Sequence, residues 1–154
     1  MRFFVLLMAT FFYFGKSPFA PGTVGTLGGV ILYFLLQSLG VSAAVYAIFL
    51  IALIFFSVWV STRAAHYLGE KDPSAVVIDE VAGFLVTMYG IPQYGWIIVT
   101  GFILNRILDI YKPFPAMQIQ ELKGGWGIVL DDVISSFYAN LLLRLILLLK
   151  DSFF

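Results

Sequence analysis

The run "AAVYAIFLIALIFFSVWVST", residues 43–62, carries no charged residue and is about as long as a helix needs to be to cross the hydrocarbon of a bilayer. In lipid every backbone N–H and C=O must be satisfied within the protein, so a run of this kind is helical wherever it meets hydrocarbon. The rest of the chain points the same way. It is 61% hydrophobic and 12% charged, with a mean hydropathy of +0.98, where soluble domains are about 25% charged. These values predict one integral membrane domain over residues 1–154, an all-α polytopic bundle of about four to five transmembrane spans, with no separate soluble domain. The absence of cysteine excludes disulfides and thiolate ligands, and the zero net charge argues against a nucleic-acid partner.

Apolar runs broken by Gly, Pro and charge place the helices. One span is expected over about 24–39 and a second over about 43–62. The apolar segment 81–90 is too short to cross alone, and a turn at "IPQYG" returns the chain through "WIIVTGFIL". The last span is expected over about 133–149, with Arg144 and Lys150 snorkelling to the interface. The N-terminal "MRFFVLLMATFFYF" resembles the n- and h-regions of a signal peptide, but no small-x-small cleavage site follows closely. It is read as retained, as a short interfacial or re-entrant helix.

Charge is concentrated in three stretches. Residues 1–22, 63–80 and 105–132 hold every Lys and Arg except Arg144 and Lys150, and every acid except Asp151. The intervening turns "GVS" and "IPQYG" hold no charge. The three stretches therefore belong to one face, cytoplasmic by the positive-inside tendency.

Four polar clusters lie on that face. In "GKSPFAPGTVGT", residues 15–26, Lys16, Ser17, Thr23 and Thr26 stand among glycines and prolines just before a helix. Free N–H groups at such a place suit a phosphate, although a plain turn with Thr23 or Thr26 as cap explains the same residues. "VVIDEVAGF" puts Asp79 and Glu80 at a helix mouth, where one acid serves the helix dipole and the second is left over. "NRILDIYKPFP" aligns Asn105, Asp109 and Lys112 on one helical face beside Arg106, ended by Pro113 and Pro115. An Asp109 ion pair with Arg106 or Lys112 is the plain alternative there. "GGWGIVLDD" reads as a flexible loop followed by Asp131 and Asp132 at the start of the final span.

Five carboxylates from three segments thus converge, and like charges repel unless a cation binds among them. Oxygen ligands, with one histidine (His66, read as an ordinary interfacial residue) and no cysteine, select a hard ion such as Mg2+. Basic groups beside an acidic metal site point to an anionic substrate and to phosphoryl transfer or hydrolysis on a lipid.

In order, "GKSPFAPGTVGT", "IDEVAGF", "NRILDIYKPFP" and "GGWGIVLDD" resemble the motifs of the bacterial phosphatidylglycerophosphatase A family, over roughly residues 14–140. The resemblance implies a Mg2+-dependent phosphatase of the bacterial cytoplasmic (inner) membrane, its active site facing the cytoplasm. Its reaction in phospholipid synthesis would remove the terminal phosphate of phosphatidylglycerophosphate to give phosphatidylglycerol. Carried over by motif, Asp79, Glu80, Asp109, Asp131 and Asp132 are the catalytic and metal-holding acids. Arg106 and Lys112, with Lys16, Ser17, Thr23, Thr26 and Asn105, are the substrate-binding residues. The chain departs from the family's usual pattern at Asn105, Leu108, Val129, Ser135 and Ser136, and keeps the charged residues. Attack on phosphorus by an activated water and attack by a carboxylate are both open, as are one or two metal ions and the oligomeric state. The competing reading is a small ion-coupled transporter using intramembrane carboxylates, which would spread its charges across depth or over both faces.

Overall fold

A computed structural model describes the backbone of residues 1–153 and the side chains of residues 1–150, so the side chain of Asp151 lies outside the described residues. The described residues are all-α, with seven α-helices and one 3-10 turn. They are α1 (Arg2–Ala9), α2 (Pro21–Ser38), α3 (Ala43–Leu68), α4 (Ile78–Met88), α5 (Gly95–Tyr111), α6 (Ala116–Ile119) and α7 (Gly125–Phe153), with the turn at Phe14–Lys16. Two of them, Ala43–Leu68 and Gly125–Lys150, are long and apolar enough to cross a membrane. The N-terminal segment is a helix, as expected, and packs Val5 and Ala9 against Val60 and Ala64 of α3.

The centre of the bundle is α4, flanked by α2, α3, α5 and α7. Of its 11 residues only Glu80 and Val86 are not fully buried. Close approach by α2 depends on Gly25 and Gly29, one turn apart. A Cβ at those positions would stand 2.6 Å from the Val77 Cβ and 2.8 Å from the Phe84 Cβ. The "GTLGG" segment therefore packs helices within this chain. Below it, Tyr33, Phe84, Leu85, Met88, Ile97 and Leu143 form the main apolar core.

So short a helix, about 16 Å at 1.5 Å per residue, ends inside the bundle and leaves its last carbonyls in need of donors. They are supplied by α7. The Asn140 Nδ2 donates to the carbonyls of Val86 (3.3 Å), Thr87 (2.8 Å) and Tyr89 (2.9 Å). The Arg144 Nη2 donates to the Tyr89 carbonyl at 2.9 Å, while its Nε donates to the Asn140 Oδ1 at 2.8 Å. Arg144, expected to snorkel to the interface, is exposed and also closes the C-terminus of α4 through the Tyr89 carbonyl.

Replacing Asn140 by Ala strands the Val86 and Thr87 carbonyls, while Tyr89 keeps Arg144. The cost of unsatisfied buried acceptors, about 1–3 kcal/mol, should appear as a lower unfolding midpoint of the purified protein in micelles. An unchanged midpoint would show that the carbonyls find other donors.

Candidate active site

The first turn of α4, the last turns of α5 and the second turn of α7 meet at one end of the bundle around a cleft of about 360 Å³. Segments from all three charged stretches line it, including Gly22, Asp79, Glu80, Arg106, Asp109, Lys112, Asp131 and Asp132. The helix start at Ile78 follows Val77, which offers no side-chain cap, so Asp79 and Glu80 lie in the first turn without capping the helix. Lys112 ends α5 in a left-handed conformation (φ 47°).

Two cations organise part of the acid cluster. The Arg106 Nη1 donates to the Asp109 Oδ2 at 2.6 Å, stands 3.9 Å from the Glu80 Oε1, and reaches the Thr26 hydroxyl at 3.5 Å. The Lys112 Nζ donates to the Asp131 Oδ2 and lies 3.7 Å from both Asp109 and Asp132. Burial alone would lower the Lys112 pKa, but the carboxylates of Asp132, Asp131 and Asp109 outweigh it and hold the ammonium above the ordinary lysine value. It stays protonated throughout the physiological range. The plain alternative for Asp109, a pair with Arg106 or Lys112, is thus realised with both, and it leaves the remaining acids to be explained.

Those acids are Asp79, Glu80 and Asp132. One oxygen of each lies within 4.8 Å of the others. The Asp79 Oδ1 and the Glu80 Oε2 are buried without a hydrogen-bond partner, as is the Asp131 Oδ1. A helix N-terminus favours an acid by about 0.3–1 kcal/mol, whereas an unpaired buried ion costs several kcal/mol. Capping is therefore too weak to account for the cluster. Three carboxylates at this spacing, two of them with idle buried oxygens, could hold a hard divalent ion by charge and ligand type.

Several expected positions fall elsewhere. Lys16 is exposed, its ammonium 4.4 Å from the Tyr13 ring centroid, and the Ser17 hydroxyl is engaged in a local turn with Phe19. Neither lines the cleft, and nor does Thr23. Thr26 is buried and donates to the Gly22 carbonyl at 3.0 Å; it acts on the cleft only through Arg106. Neither Thr23 nor Thr26 caps α2, whose N-cap is Ala20. Asn105, 2% exposed, sits one turn deeper than Asp109 and does not line the cleft. Nor is "GGWG" a flexible loop before a span starting near 133. Gly125 already begins α7, its N–H bonded to the Thr62 hydroxyl at 2.8 Å and its Cα packed against the Val58 carbonyl. Asp131 and Asp132 consequently stand in the second turn of α7, not at its mouth.

A residue inside the first motif but not singled out there is Gly22. A side chain on it would collide with the Glu80 Oε1 and come within 2.9 Å of the Arg106 Nη2. The spacing of "APGT" relative to the acids carried no sign of this contact.

The family model described as phosphatidylglycerophosphatase A matches residues 7–147. The chain belongs to the phosphatidylglycerophosphatase A family. It is 35% identical over 135 residues to the phosphatidylglycerophosphatase A of Haemophilus influenzae, covering 86% of this chain and 82% of the relative. With the phosphatidylglycerophosphatase A of Escherichia coli it shares 31% over 131 residues, covering 84% and 75%. A protein of Bacteroides thetaiotaomicron named "Putative phosphatidylinositol-3-phosphatase" is 36% identical over 151 residues, covering 92% of each chain. No solved structure matches. Membership of the family makes the chain a lipid phosphatase.

Because the atoms crowding Gly22 are the far ends of two side chains, Gly22→Ala should fold normally while pushing Glu80 and Arg106 out of place. A loss of about 10- to 100-fold in phosphatase turnover is expected, with the thermal unfolding midpoint unchanged. Wild-type turnover would show that the contact is immaterial.

Proposed function

We propose that the protein is a Mg2+-dependent phosphatase that hydrolyses the terminal phosphate monoester of phosphatidylglycerophosphate at the cytoplasmic face of a bacterial inner membrane. The observation that carries this reading is the group of Asp79, Glu80 and Asp132, with buried idle oxygens on Asp79 and Glu80, beside Arg106 and Lys112 in one cleft. A divalent ion held by those three acids would supply Lewis-acid neutralisation of the phosphate charge. Arg106 and Lys112 bind phosphate oxygens, kept in place by Asp109 and Asp131. Asp131 has one oxygen on Lys112 and the other free. In this reading it accepts a proton from the attacking water as the new bond to phosphorus forms, while the P–O bond to the lipid breaks and the departing alkoxide takes a proton from solvent. The backbone at Ala20–Gly22 supports the phosphate from the start of α2.

In the same reading α2, α3 and α7 cross the membrane, and α4 and α5 run out and back as an antiparallel pair whose acid-bearing ends share one face, which makes up the four to five passages; the acyl chains stay among the helices. Crowding of the acids at one end favours an interfacial enzyme over an ion-coupled transporter, whose ligands would sit near mid-depth.

The test is phosphate release by the purified protein in detergent, with excess Mg2+ or with chelator, on phosphatidylglycerophosphate and, in parallel, phosphatidylinositol 3-phosphate. Release from the glycerol lipid, abolished by chelator and faster than from the inositol lipid, is expected. Preference for the inositol lipid would move the substrate to the one named for the Bacteroides relative, and no release from either would overturn the proposal. Asp132→Asn should lower turnover by more than about 100-fold, beyond the 10- to 100-fold of outer-shell changes around a metal, in a protein that still folds.

A further inference from the structure

One turn beneath the acids, three helices are joined at a single atom. Asn105 is almost fully buried on α5, four residues before Asp109. Its Oδ1 accepts from the Thr87 hydroxyl of α4 at 2.6 Å and from the Ser136 hydroxyl of α7 at 2.7 Å. Both hydroxyl residues are themselves fully buried. Ser136 follows Asp132 by four residues and Thr87 follows Asp79 by eight, so each partner lies on the acid-bearing side of its own helix. Space for this junction is made by Gly83, midway between Asp79 and Thr87, where an added Cβ would come within 2.6 Å of the Ser136 Oγ.

We propose that Asn105 is a positioning residue whose carboxamide oxygen, clamped between the Thr87 and Ser136 hydroxyls, fixes the mutual spacing of α4, α5 and α7 and thereby the affinity of Asp79, Glu80 and Asp132 for a divalent ion. The inference rests on the metal reading given above. The same helices also share the main apolar core, with Phe84, Leu85 and Met88 on α4 and Leu143 on α7. Apolar contacts alone are non-directional and let helices slide. A carbonyl oxygen has room for two donors, and here each donor comes from a different helix. The contact therefore fixes a distance and a rotation, where a leucine in the same place would fix only a volume. Residues that orient ligands without touching the ion typically change metal affinity by about 10- to 100-fold. That is the size of effect the clamp should have.

The experiment uses the full chain in detergent micelles and reads Mn2+ binding by electron paramagnetic resonance, apart from any turnover. Asn105→Ala and Thr87→Val, which removes the hydroxyl and keeps the shape, should weaken Mn2+ binding by about 10- to 100-fold. Thr87→Ser, which restores the hydroxyl, should bind as the wild type does. Should Asn105→Ala fail to fold, the Thr87 pair decides alone. Wild-type affinity in Thr87→Val, or equal loss in Thr87→Ser and Thr87→Val, would overturn the clamp while leaving the metal site standing. Absence of Mn2+ binding by the wild-type protein would overturn the metal reading and the clamp together.

Discussion

Two cations share one cleft with six carboxylates, five drawn from three helices and the sixth, Asp72, from the loop before α4, and most of the architecture follows from that imbalance. Arg106 and Lys112 settle Asp109 and Asp131 through direct contacts. They reach Glu80 and Asp132 only at 3.9 and 3.7 Å, and no ion pair to Asp79 occurs among the described residues. Like charges held this close disfavour ionisation unless a positive ion enters. The end of the bundle that carries them is thus short of positive charge, and its Asp79, Glu80 and Asp132 carboxylates could hold a metal ion.

A short central helix makes the arrangement possible. Because α4 stops after 11 residues, its N-terminus can be held at the depth of the acids while its C-terminus is closed from the side by Asn140 and Arg144. The same helix α7 contributes Asp132, Ser136, Asn140 and Arg144 at intervals of four, so one stripe of α7 addresses α4 from end to end. Interhelical polar contacts of this kind are worth about 0.6 kcal/mol on average in folded membrane proteins. Their total is modest as stability, and their value lies in registering helices that apolar packing would leave free to slide. Function here asks for placement of carboxylates to a fraction of an ångström, which is a demand on register more than on strength.

Much of the site could be read from residues alone. The three charged stretches do meet at one end of the bundle, and the five acids of the ordered motifs line one cleft there, because ionisable residues in so apolar a chain have few reasons to be there. What escaped was governed by contacts distant in sequence. Glycines in "GGWG" suggested flexibility, yet Gly125 is small to admit the Val58 carbonyl of α3, and α7 begins eight residues earlier than its apolar run indicates. The contact of Arg144 with the end of α4 was not legible, because nothing in the sequence says that α4 ends beside it. Asn105 resembled a ligand residue by its place on the Asp109 face. The four-residue spacing that links Ser136 to Asp132 was visible but has no meaning until Thr87 and Asn105 are known to lie opposite. Lys16 and Ser17 belong to a motif whose backbone, at Ala20–Gly22, reaches the cleft while its most polar side chains do not.

The most direct measurement is a crystal structure of the Mn2+-loaded protein with anomalous data collected at the manganese edge. The account predicts an anomalous peak bounded by oxygens of Asp79, Glu80 and Asp132, at the roughly 2.0–2.2 Å expected of a small hard divalent ion, with Arg106 and Lys112 left outside the coordination shell. A peak elsewhere, or these three carboxylates separated and paired with other cations while the protein remains active, would contradict it.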